Sequence, residues 1–170
     1  AKSNWGDNFE EYDRKILQSV EETDGQVMLY AGKPILAAFH SSSAGITAKS
    51  GDAWVSDLPY LVSVESPETA ESVPNYYSVN TFTAEQFREK ILAEEPEAVL
   101  EGSAKGWVTD LQKNSSGRVE SATVGGVPIR GTRLRSILGL RSACFTVECG
   151  EEDITFRVTG FGHGVGMSQY

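Results

Sequence analysis

Cysteine and histidine are scarce in this sequence, and long apolar or cation-rich runs are missing; each shortage bears on a class of function. There are two cysteines and two histidines in 170 residues, where a zinc site would want more Cys or His close by. An HExxH helix is missing, and so is the strand–turn–helix elbow that presents the serine of many hydrolases. Cys144 and Cys149 lie five apart in CFTVEC. In one strand they would face opposite sides about 16 Å apart at ~3.3 Å per residue. A disulfide tolerates about 7 Å between Cα atoms, so they read as two packed thiols without chemistry. No apolar run approaches the roughly 20 residues of a membrane span. Lys and Arg number 15 against 24 Asp and Glu, a net charge of −9. That argues against nucleic acid or anionic lipid as main partner, since both need clustered basic residues. No internal repeat or low-complexity linker interrupts the chain.

What is present, 39% hydrophobic and 23% charged residues, suits one globular domain with a sizeable core. Phe9, Tyr12, Ile16 and Val20 recur at helical spacing. They predict a helix with Asp7 as N-cap, Glu10 three residues on and Gly25 as the stop, with Trp5 packed on the same core. Gln26 to Tyr30 and Lys33 to His40 flank Ala31-Gly32 as a hairpin. Lys49 to Pro74 reads as loop with a short strand at Leu61 to Val64, its Asp52, Asp57 and Glu65 as surface charges. A strand over Tyr76 to Asn80 precedes a helix opened by a Thr83–Gln86 capping box and ending before Pro96. Strands follow at Val108 to Lys113 and Val119 to Val124, then a Gly125-Gly126 turn and a short helix over Thr132 to Leu138 closed by Gly139. A hairpin of Cys144 to Cys149 with Ile154 to Val158 comes last. The expected fold class is α+β: a single domain over residues 1–170, of antiparallel strands and hairpins with two or three helices.

Two segments have unusual chemistry. In GFGHGVGMSQY, Gly160, Gly162, Gly164 and Gly166 alternate with Phe161, His163 and Val165. As an extended chain this leaves one face bare and lines the other with those three side chains. Glycine at that density marks sharp bends or another molecule close to the backbone. The segment is either one bank of a binding cleft or a hairpin turning in a crowded corner. In FHSSSAGIT, His40 precedes three hydroxyls, Ser41, Ser42 and Ser43. Hydroxyls suit a polyhydroxylated ligand, and equally cap backbone groups at a strand end. Trp54 and Tyr60 are stacking faces for sugars or core aromatics. Were His40 and His163 to meet, a Ser–His hydrolase would still lack an identifiable orienting carboxylate. A two-His metal site would lack a compact ligand cluster. Neither metal nor cofactor is expected.

FHSSSAGIT, Trp54 with Pro59-Tyr60-Leu61, GTRLRSILGLRSACF (Gly131 to Phe145) and GFGHGVGMSQY together closely resemble, in the same order, the stage II sporulation protein D (SpoIID) family and the related amidase enhancers. The resemblance covers most of the chain after the first helix. It implies a peptidoglycan lytic transglycosylase of sporulation and engulfment, acting on glycan strands stripped of stem peptides. Such an enzyme cleaves between N-acetylmuramic acid and N-acetylglucosamine, the sugar's own 6-hydroxyl closing on the anomeric carbon to leave a 1,6-anhydro end. One carboxylic acid then suffices, first as acid and then as base. By the same resemblance His40, Ser41, Ser42 and Ser43 form one wall of the substrate cleft. Gly162, His163, Gly164, Ser168, Gln169 and Tyr170 form the other, with His163 and Ser168 in polar contact, Tyr170 near the scissile sugar, and glycine amides meeting the ligand.

The family's acid is a glutamate in an early E-M-P-like segment ahead of an A-L-K-A-Q-A-V-A-A-R-T-Y-like helix, and neither occurs here. Glu10, Glu65 and Glu85 stand in other contexts. The family also continues past the terminal tyrosine with Gly-Ala and a helix. The expectation is a fragment that supplies the glycan cleft but not the catalytic acid and is inactive alone. Its parent would be anchored to the membrane outside the cytoplasm, facing the wall, with glycan strands, other wall hydrolases or sporulation proteins as partners. The alternative is a non-catalytic wall-binding or amidase-enhancer module, to which the acidic charge would bring a basic protein partner.

Overall fold

A computed structural model describes residues 2–170, and the chain divides into two compact units, one ending at Ala37 and one running from Ala38 to Tyr170. The first holds α1 (Lys2–Trp5), a 3-10 turn (Gly6–Asn8), α2 (Phe9–Glu22), and a hairpin of β1 (Leu29–Tyr30) and β2 (Lys33–Pro34). The hairpin turns where the sequence places it, with Ala31 and Gly32 at φ 50° and 76°, the conformation a tight two-residue connection needs. The helix start differs. The 3-10 turn absorbs Asp7, and α2 begins after Asn8 with no side-chain cap bond. Trp5 packs against the rings of Phe9 and Tyr12 instead of a core, and Tyr12, Ile16 and Val20 are exposed. The second hairpin strand is also shorter than expected. Ile35 still donates to the Met28 carbonyl, but Phe39 and His40 pair elsewhere.

The second unit contains, in order, β3 (Phe39–His40), β4 (Gly45–Ile46), α3 (Ser50–Ala53), β5 (Glu65–Ser66), β6 (Tyr77–Thr83), α4 (Ala84–Leu92), β7 (Val108–Lys113), β8 (Val119–Val124), β9 (Val127–Arg130), α5 (Gly131–Leu138), β10 (Phe145–Cys149), β11 (Asp153–Thr159) and β12 (Met167–Ser168). Two antiparallel three-stranded sheets, β10-β11-β6 and β7-β8-β9, provide the frame. Alternation works as the period of a strand requires: Ile154, Phe156 and Val158 of β11 all point inward and are buried. Onto them pack Phe87 and Ile91 of α4 and Leu134 and Leu138 of α5, in one core with Val119, Ala122 and Val124. Phe156 is its hub, with the rings of Phe82, Phe87 and Phe145 centred 6.1, 6.1 and 5.5 Å away. Burying such a side chain stabilises the fold by about 1.5–3 kcal/mol.

The α+β class and most of the hairpins match the sequence reading. The Thr83–Gln86 capping box closes as expected, each side chain bonded to the other's backbone N–H, and Gly139 ends α5 in the left-handed conformation. The short strand expected at Leu61 to Val64 shifts to β5, antiparallel to β4, because Leu61 turns inward to a small second cluster with Ala48 and Val165. One pairing was not foreseen: β3 and β12 run parallel.

Candidate functional site

The β3–β12 ladder joins the two segments with unusual chemistry. Met167 stands opposite Phe39 and Ser168 opposite His40. Gln169 N–H donates to the His40 carbonyl at 3.1 Å, and Met167 N–H to that of Ala38 at 3.0 Å. Ser42 and Phe161 exchange both backbone bonds at 3.0 Å, and Ala48 N–H reaches the Gly164 carbonyl at 2.7 Å. The rings of His40 and His163 are centred 6.1 Å apart, and Trp54 packs 5.1 Å from His163.

The glycine segment is not the extended strand its alternation implied. Gly160, Gly162, Gly164 and Gly166 all take positive φ, so the chain bends at every second residue. Phe161, His163 and Val165 therefore share no face: Phe161 is exposed, His163 half-buried and Val165 sealed in the second cluster. At Gly166 a Cβ would overlap the Ala38 carbonyl, and at Gly164 it would overlap the Arg118 guanidinium. Only glycine meets both demands, handedness and space. Of the amides expected to meet a ligand, that of Gly162 is spent on the Arg141 carbonyl at 2.9 Å, as its neighbour Gly160 N–H is on that of Tyr76 at 2.9 Å.

The serine run serves the scaffold more than its composition indicated. Ser43 is wholly buried. Its hydroxyl donates to the Ser66 carbonyl (2.6 Å) and accepts Gly45 N–H (3.0 Å), while its own N–H is held by the Glu68 carboxylate at 3.0 and 3.1 Å. This is the strand-end capping weighed for the run. Ser42 is buried, and Ser41 is half-buried with its backbone against Gly162. Ser168 is half-buried and its hydroxyl accepts Tyr170 N–H at 3.4 Å; Gln169 and Tyr170 are exposed.

The two imidazoles hold opposite tautomers. His40 is 3% exposed, and its Nδ1 lies 3.3 Å from the Val165 carbonyl. A carbonyl only accepts, so Nδ1 bears the proton. Nε2 of His40 is then a buried acceptor without a partner. Val165 N–H donates to Nδ1 of His163 at 3.1 Å, which puts that ring's proton on Nε2. Burial lowers the pKa of both rings; Arg118 adds to the effect at His40, and Arg135 and Arg118 at His163. Both are neutral at pH 7. Among the described residues no hydrogen bond joins either ring to a serine hydroxyl, and no three His, Cys, Asp or Glu side chains are grouped to hold a metal ion.

Beside His163 opens a cavity of about 260 Å³ whose lining includes Trp54, Arg118, Arg135 and Gly162. Asp52, read from the sequence as a surface charge, is at this cavity too, exposed and accepting from Asn114 Nδ2 at 2.9 Å. Arg118 leaves a turn fixed by Asn114 Oδ1, which accepts the N–H groups of Ser116 (3.1 Å) and Arg118 (3.0 Å). Arg118 is 4% exposed, and its Nε has no partner. Arg135 is half-buried and donates from Nε to the Leu140 carbonyl at 3.2 Å. Neither arginine stood out as a site residue in the sequence. A signal existed: Arg135 shares the inward stripe of α5 with Gly131, Leu134 and Leu138, a position where a cation is out of place.

No family model matches the chain. Over 170 residues it is 39% identical to the stage II sporulation protein D of Bacillus subtilis (strain 168) and 37% identical to that of Bacillus amyloliquefaciens. Both alignments cover 99% of this chain and 47% of the relative. The amidase enhancer of Bacillus subtilis (strain 168) is 24% identical over 204 residues, 90% of this chain and 28% of that protein. The chain thus spans about half the length of the sporulation relatives it matches.

Proposed function

We propose that this chain, similar over nearly its whole length to stage II sporulation protein D, belongs to that family and forms the glycan-binding cleft of a lytic transglycosylase that acts on the cell wall during sporulation. The observation that carries the reading is the β3–β12 ladder, which sets His40 and Ser168 opposite each other in register and His163 against Trp54. An indole face beside polar groups is the combination that holds a sugar ring, apolar contact on one side and hydrogen bonds at the edge. Tyr170, Gln169 and Ser41 extend that edge. In this reading half-buried His163 offers the glycan the dipole of a neutral imidazole, and buried His40 braces it through Val165 without touching sugar. Proton transfer is left to a carboxylic acid.

That acid belongs to a part of the intact protein outside these residues. It protonates the bridging oxygen between N-acetylmuramic acid and N-acetylglucosamine, and then takes the proton of the 6-hydroxyl as that oxygen attacks the anomeric carbon. The substrate supplies its own nucleophile, so the cleft's task is to hold the reacting atoms in line. The intact protein faces the wall from the outer side of the membrane. Among the described residues no helix is long and apolar enough to cross a membrane.

The test is a digest of peptide-stripped glycan with the intact gene product, read by mass for 1,6-anhydro ends. Anhydro ends are expected from the intact protein; the 170-residue chain alone should bind the glycan without cutting it. The likeness to an amidase enhancer favours one other reading, a module that recruits or stimulates a wall amidase. An intact protein that produces no anhydro ends yet raises amidase turnover would establish that reading instead.

A further inference from the structure

Arg118 stands out as a charge without a counterpart. Buried cations are ordinarily paired, because leaving one unpaired forfeits solvation that nothing replaces. Arg118 is 4% exposed with an unpartnered Nε. Among the described residues, no carboxylate oxygen stands within ion-pair distance of Arg118 or Arg135. Both line the same cavity, beside His163 and Trp54. Asp52 and Glu120 reach that cavity as well, but both are exposed, and Asp52 is engaged by Asn114. Burial lowers the pKa of Arg135 and Arg118 lowers it further, so the two cations destabilise each other where they converge. The protein maintains this arrangement within a chain of net charge −9. Gly164 maintains it too, since a Cβ there would displace the Arg118 guanidinium. Two converging guanidinium groups in a partly dry recess are a receptor for a planar anion, which they bind through paired N–H donors.

We infer that Arg118 and Arg135 form a seat for a carboxylate borne by the glycan: the lactyl group of a muramic sugar from which the peptide has been removed. The inference rests on the reading of the groove as a glycan cleft. The two sugars of the wall strand differ here, because only the muramic sugar has a lactyl ether and N-acetylglucosamine has no carboxylate. Peptide attachment turns that carboxylate into a neutral amide and adds bulk that a cavity of about 260 Å³ excludes. The seat therefore selects peptide-free strands. It also fixes which of the two alternating sugars lies beside His163, and hence which linkage is presented for cleavage.

The experiment compares, on the intact protein in the cold before turnover, the binding of a short muramic-acid glycan with its lactyl methyl ester, its alanyl amide and chitotetraose. The free acid should bind at least about tenfold more tightly than ester or amide, the margin of one charge-assisted contact. Arg135→Gln should bring acid and ester to equal affinity. Because Arg118 is buried and its replacement could unfold the chain, its part is read in the wild type: the Arg118 Nε–H resonance should shift with the free acid and not with the ester. Equal affinity for acid, ester and amide, with chitotetraose also bound, overturns the carboxylate seat and leaves the glycan cleft standing. If no glycan binds, both fall.

Discussion

His40 and His163 are tied together through a single residue: the Val165 carbonyl accepts from His40 Nδ1 at 3.3 Å, and the Val165 N–H donates to His163 Nδ1 at 3.1 Å. Protonating His163 would set its Nδ1–H against the Val165 N–H, and protonating His40 would place a buried charge beside Arg118.

Stability should therefore fall in mild acid. Both folded-state pKa values are lowered from 6.5, so as pH drops the unfolded chain takes up protons first, and stability rises with pH where that difference exists. The contribution is complete above about pH 6.5 and lost progressively below it. Urea unfolding midpoints between about pH 8 and pH 5 measure this. The double variant His40→Gln, His163→Gln should show a shallower decline, and a wild-type midpoint that does not move would refute the lowered basicity of the two rings.

Gly166 and Gly126 separate steric overlap from backbone handedness. Both have positive φ (77° and 84°), but a Cβ on Gly126 meets nothing within 4 Å, whereas one on Gly166 strikes the Ala38 carbonyl. Gly126→Ala should cost about 1 kcal/mol, the left-handed penalty alone. Gly166→Ala should cost a further 1–3 kcal/mol or so from overpacking. Equal losses in denaturant titrations would contradict the close approach.

The thiols should react separately. Cys144 is buried and Cys149 half-buried, both free, and burial raises the pKa of each. A thiol reagent under native conditions should modify Cys149 slowly, and Cys144 only as fast as the chain opens. Simultaneous modification of both would contradict this packing.

Thr83→Ala should lower stability by about 1 kcal/mol through loss of the α4 cap. Its hydroxyl accepts the Gln86 N–H at 3.2 Å, and Gln86 Oε1 accepts the Thr83 N–H at 3.0 Å. Thr83→Ser should recover most of the loss, which distinguishes the cap from methyl packing at an exposed site.

Local signals carried far in this sequence. The capping box at Thr83, the paired glycines at 125 and 126, and the alternation of Ile154, Phe156 and Val158 each depend on neighbours a few residues away. They therefore read directly as structure. The 160–166 segment defeated the same reasoning: period two also describes a chain that bends left-handed at each glycine, and only contacts with Ala38, Ser42 and Arg118 decide between the two. The meeting of His40 with the terminal motif was legible through resemblance, not spacing. Arg118 escaped notice because its meaning lies in an absence, the missing carboxylate, which a sequence does not display. Ser43 shows the reverse error, a residue of sugar-binding type consumed by its own turn.

The ladder between β3 and β12 closes a loop, since its region joins groups 125 positions apart through two residue pairs. The Ser42–Phe161 bridge, the Ala48 N–H bond to the Gly164 carbonyl and buried Val165 supplement that short ladder, and the two banks keep their register only while these contacts hold. A strand of sugar lying across both would act as a clasp, lending part of its affinity to hold the protein closed. Substrate occupancy and the integrity of the cleft would then rise and fall together.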